Sequence, residues 1–228
     1  MCSLHTHGRV GASIDGFGLI RDDVLDREPH GSIDMHDGLV QSCNAYFAQL
    51  AVRIGPASIF DTAALLGISV ARDGSIPRLR ATLPHAGYGQ GDVVATPLRM
   101  ARVAAAIASK GILRDTRVER SGSRPASSQP LLTPEAAGAL GRYLRDAVLS
   151  GTARGLRAHP WRVAGKTGTA EVTDARSHAW FVGYAPYGPA ERRVAFAVII
   201  EHAGYGSVAA APAAGDIVSA AAANGLIR

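Results

Sequence analysis

The sequence predicts an α+β fold in which an antiparallel sheet is flanked by helices. Three β-rich runs, at residues 161–172, 178–186 and 192–201, follow one another with short polar turns between them. Strands joined in this way form an antiparallel meander. Helical patterns precede and follow these runs, as in layered α+β domains. We see no internal repeat and no domain boundary, and therefore predict one domain over residues 1–228.

The first third of the chain predicts loops or short strands followed by helices. Residues 1–31 are rich in Gly, His and Asp without a clear period. The pattern turns helical over residues 33–55, with Ser32 or Asp34 as the expected cap, and Ser-Cys-Asn at residues 42–44 marks a junction between two helical segments. The predicted buried helix face consists of Tyr46, Phe47, Leu50, Ala51 and Ile54.

The middle of the chain predicts three more helices. Residues 56–67 form a short helix that Gly67 ends, and residues 68–95 are rich in turn formers. The segments at 96–111 and 133–151 both begin with Thr-Pro and end with Gly, which is typical of a capped helix. Residues 114–131 between them are rich in Ser, Pro and Arg and predict a surface excursion.

The last third predicts how the sheet is covered. Residues 194–200, "VAFAVII", are apolar without alternation, which favours a central strand covered on both faces. The alanine-rich tail at residues 208–223 predicts a covering helix.

Composition and charge exclude several classes of protein. Of the 24 basic residues 22 are arginines, and they are scattered without a basic run or an aromatic ladder, so we expect no nucleic-acid partner. No run of about eighteen apolar residues exists, and the first residues, "MCSLHTHGRVG", are not a signal peptide. These residues therefore hold no export signal.

The cysteines and histidines predict neither a disulfide framework nor a metal site. Cys2 and Cys43 are the two cysteines, and a bridge between them stays open. Cys2, His5 and His7 are close in sequence, but no second ligand pair follows at a useful spacing. We expect no metal and no cofactor, and we expect Cys43 to be a small core residue.

The stretch "VAGKTGTAE", residues 163–171, decides between three kinds of site. A phosphate loop requires a glycine five residues before Gly165, where Pro160 stands, and a helix after the lysine, where a strand is predicted. This excludes a phosphate loop and leaves a hairpin with a solvated lysine or the wall of an acyl-transfer site. Gly165 and Gly168 favour the second, because they let a substrate approach the backbone closely.

The ordered set of motifs resembles the penicillin-binding protein transpeptidases, which are relatives of the serine β-lactamases. "SCN" at residues 42–44 is similar to their S-x-N element, and "KTGT" at 166–169, followed by "HAWFVGYAP", to their K-T-G strand. Residues 30–55, 87–111 and 150–155 resemble further segments of the family. The class B, monofunctional members are the most similar. The resemblance implies a β-lactamase/transpeptidase-like fold.

The resemblance assigns a role to each matched residue of the S-x-N element. Ser42 would relay protons between the catalytic lysine and the leaving group, and Asn44 would hold the substrate amide and orient that lysine. From the residues alone, Ser42 also suits a helix cap and Asn44 a turn.

The K-T-G strand would supply charge and hydrogen-bond donors. Lys166 would offer a positive charge and a partner for proton relay, and Thr167 and Thr169 would offer hydroxyls to the substrate carboxylate. The backbone at Gly168 belongs to the same substrate-facing segment, and the N–H of Thr169 would be one of two oxyanion donors. Developing negative charge on a tetrahedral intermediate requires such donors.

The family's first motif, S-x-x-K, with the nucleophilic serine and the activating lysine, does not occur in this sequence. Ile107 stands three residues before Lys110, and Val163 three before Lys166, and no other lysine exists. In the family this motif lies further upstream of S-x-N than the 41 residues before Ser42. We therefore expect an N-terminally incomplete domain that is inactive alone, since a hydroxyl without a base is a poor nucleophile.

The function that the resemblance implies is peptidoglycan D,D-transpeptidation through an acyl-serine intermediate in the full-length protein. The implied partners are stem peptides ending in D-Ala-D-Ala, β-lactam antibiotics, and proteins of cell-wall synthesis or division. The implied location is the extracytoplasmic face of the bacterial cytoplasmic membrane. An alternative is a catalytically dead module that binds such peptides or a division partner. A serine β-lactamase is a weaker alternative, because no motif points to a carboxylate that would activate water.

Overall fold

The computed structural model describes residues 3–5, 9–116 and 127–228, and side chains from residue 10 onward within these ranges. They divide into two compact units, Met1–Ala95 and Thr96–Arg228. Both units contain helices and antiparallel strands, which confirms the α+β class. The single domain stays a prediction. Most of the predicted surface excursion, residues 117–126, lies outside the described residues.

The first unit begins with a small antiparallel sheet, as the prediction of short strands allowed. Its strands are β1 (Ser3–His5), β2 (Arg9–Ile14) and β3 (Gly18–Arg21), in that order. Val10, Ala12 and Ile20 are buried on this hairpin. The sheet leads at residue 22 into a loop.

Three helices follow, and the helix pattern identified them correctly but misjudged one buried face. They are α1 (Met35–Gln41), α2 (Asn44–Ile54) and α3 (Pro56–Leu66); Asp34 caps α1. The buried residues of α2 are Ala45, Ala48 and Ala51. Of the predicted face only Ala51 is buried, while Tyr46, Phe47 and Leu50 are half-buried and Ile54 is exposed. Small side chains are required there because the backbone of a neighbouring helix, at Gly87, lies against Ala51.

That neighbouring helix, α4 (Ile76–Gly87), was not predicted, because residues 68–95 look rich in turns. Ser75 caps it by accepting a hydrogen bond from the Arg78 N–H at 3.2 Å. Pro84 lies inside the helix, where proline normally indicates a break. Burial of Leu79 and Leu83 on the same face outweighs that local signal.

The helices of the second unit agree with the capping signals. They are α5 (Pro97–Ala108), α6 (Pro134–Leu149) and α7 (Ala210–Ala223). Thr96 caps α5 and Thr133 caps α6, each accepting from the N–H three residues on, at 3.3 and 3.2 Å. The short strands β4 (Ile112–Arg114) and β5 (Ser128–Pro130) pair between α5 and α6. Among the described helices, none combines the length and the hydropathy that crossing a membrane requires.

The predicted meander is confirmed as the sheet of the second unit. Its strands, β6 (Ala164–Val172), β7 (Ala175–Ala185) and β8 (Val194–Ile200), are antiparallel in the order β6-β7-β8. The prediction that residues 194–200 form a central strand is wrong for the described residues, where β7 is central. The apolar run in β8 reflects its packing against α5 and α7. Fully buried Phe181, Val163 and Val218 lie in the core of this unit.

Candidate active site

The residues predicted for the site form two groups, one in each unit. The first comprises Ser42 and Asn44, in Met1–Ala95. The second comprises Lys166, Thr167, Gly168 and Thr169, in Thr96–Arg228.

Ser42 lies between α1 and α2, where the sequence predicts a junction, and its backbone is strained. Its φ and ψ are 64° and 41°, in the left-handed region that a Cβ disfavours. The turn closes α1, because the N–H of Ser42 donates to Leu39 O at 3.3 Å and that of Cys43 to Gly38 O at 2.9 Å. Ser42 therefore ends α1, and Cys43 is the N-cap of α2. Non-glycine residues in such conformations concentrate at functional sites.

The end of β3 fixes the Ser42–Asn44 turn in place. Buried Asp22 accepts from the Ala45 N–H at 3.0 Å through Oδ1 and from the Cys43 thiol at 3.5 Å through Oδ2. The side-chain amide of Asn44 donates to the carbonyl of Arg21 at 3.1 Å. Cys43 is fully buried, in agreement with the core role expected for it. Asp22 is thus a supporting residue that no sequence pattern indicated.

A cluster of possible metal ligands adjoins this turn. Donor atoms of Asp22, His30 and Cys43 lie within 4.8 Å of one another, and His30 Nδ1 is 3.6 Å from Asp22 Oδ2. His30 Nδ1 is buried without a hydrogen-bond partner in the part of the chain that the structure describes. Carboxylate, imidazole and thiolate all suit Zn²⁺, although Asp22 and Cys43 also cap α2 without an ion. Their separation in sequence explains why spacing did not suggest them.

Other expectations about metal and cysteine fall outside the structure. The side chains of Cys2, His5 and His7 lie outside the described residues, as does a bridge from Cys2 to Cys43.

Lys166 and Thr167 of β6 form a hydrogen-bonded cluster with Thr152. The Lys166 ammonium donates to Thr167 O at 2.9 Å and to Thr152 Oγ1 at 3.4 Å. The hydroxyls of Thr152 and Thr167 are 2.6 Å apart, so one donates to the other. Thr152 follows α6, in the "SGTARG" segment, and had no predicted role. β6 lies at one edge of the sheet formed by the described residues.

Burial shifts the acid–base behaviour of this lysine. Loss of water around the ammonium lowers the pKa of Lys166 to about 8. The hydrogen bonds named above lead to neutral oxygens, which offset the lost hydration less than a carboxylate does. Such a lysine remains mostly charged at neutral pH but releases a proton more readily than an exposed one. This suits a group that takes part in proton transfer.

The glycines of β6 are favoured by packing across the sheet. A Cβ at Gly165 would lie 2.6 Å from the ring of Phe181 and 2.7 Å from Val182 O. A Cβ at Gly168 would lie 3.1 Å from Cβ of Trp180. Packing across the sheet thus favours glycine at both positions, and the approach of a substrate to this backbone stays a prediction.

The loop before α7 packs against the same strand at Thr169. The N–H of Gly206 donates to Thr169 Oγ1 at 3.4 Å. A side chain at Gly206 would collide with Gly168 O and Trp180 O. This contact holds the Thr169 hydroxyl beside the loop and was not predicted.

Comparison with known proteins identifies the strands and motifs as those of one family. A family model, described as the penicillin-binding protein transpeptidase domain, matches residues 21–219. The chain is 30% identical over 200 residues to the peptidoglycan D,D-transpeptidase PbpA of Mycolicibacterium smegmatis, covering 77% of this chain and 40% of that protein. It is 27% identical over 238 residues to the peptidoglycan D,D-transpeptidase MrdA of Haemophilus influenzae, covering 83% and 36%.

Solved structures agree with this assignment. Penicillin-binding protein A from M. tuberculosis, solved as a ceftriaxone acyl-enzyme complex, superposes with a TM-score of 0.77 at 27% identity. The match covers 92% of this chain and 53% of that one. The chain thus spans about 40% of the length of the curated relatives named above.

Proposed function

Because this chain belongs to the family of penicillin-binding protein transpeptidase domains, we propose that it forms part of a peptidoglycan D,D-transpeptidase. The reaction joins stem peptides through an acyl-serine intermediate, and β-lactams acylate the same serine. The observation that supports this best is the Lys166–Thr152–Thr167 cluster on the edge strand β6. It combines a partly buried cation with hydroxyl donors, as recognition of an acylating carboxylate substrate requires.

Lys166 and Thr167 serve the substrate in different ways. Lys166 provides positive charge and exchanges protons, which its lowered pKa supports. Thr167 donates its hydroxyl to the carboxylate of the stem peptide or the β-lactam. Thr169 offers a second hydroxyl beside it.

The N–H of Thr169 is one oxyanion donor, and the strand geometry supports this role. Alternate residues of an antiparallel strand direct their N–H and C=O groups to the same side. The carbonyl of Thr167 accepts from the Lys166 side chain at 2.9 Å. The N–H of Thr169, two residues on, has the same orientation, with Gly168 between them.

Ser42 and Asn44 act in proton relay and in binding the substrate amide. The left-handed backbone of Ser42 supports a functional role, because non-glycine residues in such conformations are frequent at functional sites. Asn44 uses its side-chain NH₂ on Arg21 O, which leaves its amide oxygen to accept from a substrate N–H.

The nucleophile comes from an S-x-x-K motif that the printed sequence does not contain. The chain alone therefore forms no acyl-enzyme. The complete enzyme acts at the extracytoplasmic face of the cytoplasmic membrane, with cell-wall synthesis or division proteins as partners.

Intact-mass measurement after incubation with excess penicillin tests the proposal. The chain is compared with a version extended upstream to include S-x-x-K, and with that version carrying Ser→Ala in the motif. We expect one adduct on the extended version and none on the other two. In the extended version, Lys166→Ala slows adduct formation by at least about 100-fold, since one lost electrostatic contact of this kind costs about 2.7–4 kcal/mol. Lys110→Ala, at an exposed position two residues after the end of α5, serves as the matched control.

Two results contradict the proposal. An adduct on the short chain places the nucleophile within it, and peptide mapping then tests Ser42. Absence of an adduct on the extended version, with correct folding, favours the catalytically dead module.

A further inference from the structure

Thr152 stands beside the two site residues of β6, on a turn whose backbone is fixed. The N–H of Ala153 donates to Ala147 O at 3.0 Å, and Ala153 is fully buried. The N–H of Arg154 donates to Gly151 O at 3.2 Å. The hydroxyl of Thr152 is therefore held at a defined position relative to β6.

The chemistry of the donors indicates the direction of the hydrogen bonds. An ammonium only donates, so Thr152 Oγ1 accepts from Lys166 at 3.4 Å. A hydroxyl that accepts from a cation becomes a stronger donor, because successive hydrogen bonds polarise one another. Thr152 is thus favoured as the donor in the 2.6 Å contact with Thr167. The hydrogen of the Thr167 hydroxyl is then directed to a third group.

We propose that Thr152 is a positioning residue, which accepts from Lys166 and donates to Thr167 so that Thr167 presents its hydrogen to the carboxylate of the acylating substrate. This rests on the proposed function, because the carboxylate belongs to the stem peptide or the β-lactam. The opposite direction, with Thr167 donating to Thr152, would leave the Thr167 oxygen facing the carboxylate and repel it.

The first experiment measures acylation rates of the upstream-extended protein with a penicillin and with its methyl ester, which lacks the negative charge. Thr152→Val removes the hydroxyl at nearly constant shape. We expect it to lower the second-order rate constant about 10- to 100-fold for the acid, as loss of a charge-assisted hydrogen bond does, and less than about threefold for the ester. Thr152→Ser keeps the hydroxyl and restores the rate with the acid.

A double substitution tests whether Thr152 acts through Thr167. Thr167→Val alone is likewise expected to lower the acylation rate constant more for the acid than for the ester. The double variant with Thr152→Val and Thr167→Val is then expected to acylate only slightly more slowly than Thr167→Val, because the two hydroxyls act as one unit. Equal losses with acid and ester, or additive losses in the double variant, overturn the proposal.

A second measurement needs no acylation and therefore remains informative if the proposed function fails. Lysine labelled with ¹³C at Cε gives only two signals in this chain, from Lys110 and Lys166, and the NMR titration of the second gives its pKa. Thr152→Val is expected to lower the pKa of Lys166, since the ammonium loses an acceptor, and Thr152→Ser to leave it within error. An unchanged titration in Thr152→Val overturns the link between these residues, whereas absent acylation of the unsubstituted protein contradicts only the proposed function.

Discussion

Replacement of Lys166 by methionine is expected to stabilise the unit that contains it. Folding moves the ammonium from water into a partly buried site and lowers its pKa from 10.5 to about 8. Since one pKa unit corresponds to about 1.4 kcal/mol, the penalty at pH 7 is at most roughly 3 kcal/mol. Methionine fills similar space without charge but leaves Thr167 O and Thr152 Oγ1 without the lysine. We therefore expect a gain of about 1–3 kcal/mol in the free energy of unfolding.

The stability gained by Lys166→Met depends on pH, and the lowered pKa of Lys166 determines the direction of this dependence. Below pH 8 Lys166 is charged in both the folded and the unfolded chain, so the full penalty is present. Between pH 8 and 10.5 the unfolded chain binds a proton that the folded chain has lost, so the stability of the lysine form rises with pH. Above 10.5 the lysine is neutral in both states and the penalty is absent. The advantage of Lys166→Met therefore shrinks from pH 8 to 10.5.

Urea denaturation followed by tryptophan fluorescence measures this difference, because both tryptophans, Trp161 and Trp180, lie in the same unit as Lys166. Lys110→Met is the matched control: Lys110 is exposed and is the only other lysine, so its change stays within about 0.5 kcal/mol at every pH. A Lys166→Met variant less stable than the unsubstituted chain at pH 7 would refute the reasoning. A difference that is constant from pH 7 to 10.5 would refute it equally.

Two further substitutions test the local geometry of the site. Ser42→Gly is expected to raise stability by about 0.5–1 kcal/mol in thermal denaturation, because glycine adopts the φ of 64° without strain, whereas Ser42→Ala brings no such gain. Equal effects of glycine and alanine would contradict strain at this position. Gly165→Ala is expected to lower stability by about 1–3 kcal/mol, since its Cβ would lie 2.6 Å from the Phe181 ring. Phe181→Leu in the same chain should recover part of that loss, and failure to do so would argue against a clash with the ring.

Helices with clear caps and no internal break signal were predictable, whereas α4 was missed because a proline lies inside it. Thr96 and Thr133 cap α5 and α6 through side chains that lie next to the helix in sequence. For α4 the Ser75 cap was overlooked, because Pro84 and the surrounding turn formers point to a turn, and burial of Leu79 and Leu83 outweighs that signal. Sequence patterns describe local preferences, whereas this packing depends on residues far away in the chain.

The sheet illustrates a related limit. The three runs correctly predicted the strands β6, β7 and β8 and their antiparallel order. The apolar pattern of β8 indicated that both faces of the strand are buried, but it contained no information about which strands pair with it. Position in a sheet follows from pairing, which periodicity does not specify.

The candidate site was predicted from motifs, and its supporting residues were not. Lys166 and Ser42 were indicated by the ordered K-T-G and S-x-N elements. Asp22 and Thr152 act through contacts across 23 and 15 positions, to Ala45 and Thr167. Neither contact has a spacing that predicts it, because each forms only once separate elements have packed.

The structure distinguishes residues that packing explains from those that only chemistry explains. Gly165 is required by the ring of Phe181, so its presence says little about function. Ser42 holds a backbone conformation that glycine would adopt more easily, and Lys166 holds a charge that its surroundings disfavour. Both choices lower stability locally. Residues that lower local stability in this way are typical of functional sites, where proton transfer or substrate binding requires a particular side chain. We therefore propose catalytic roles for Ser42 and Lys166.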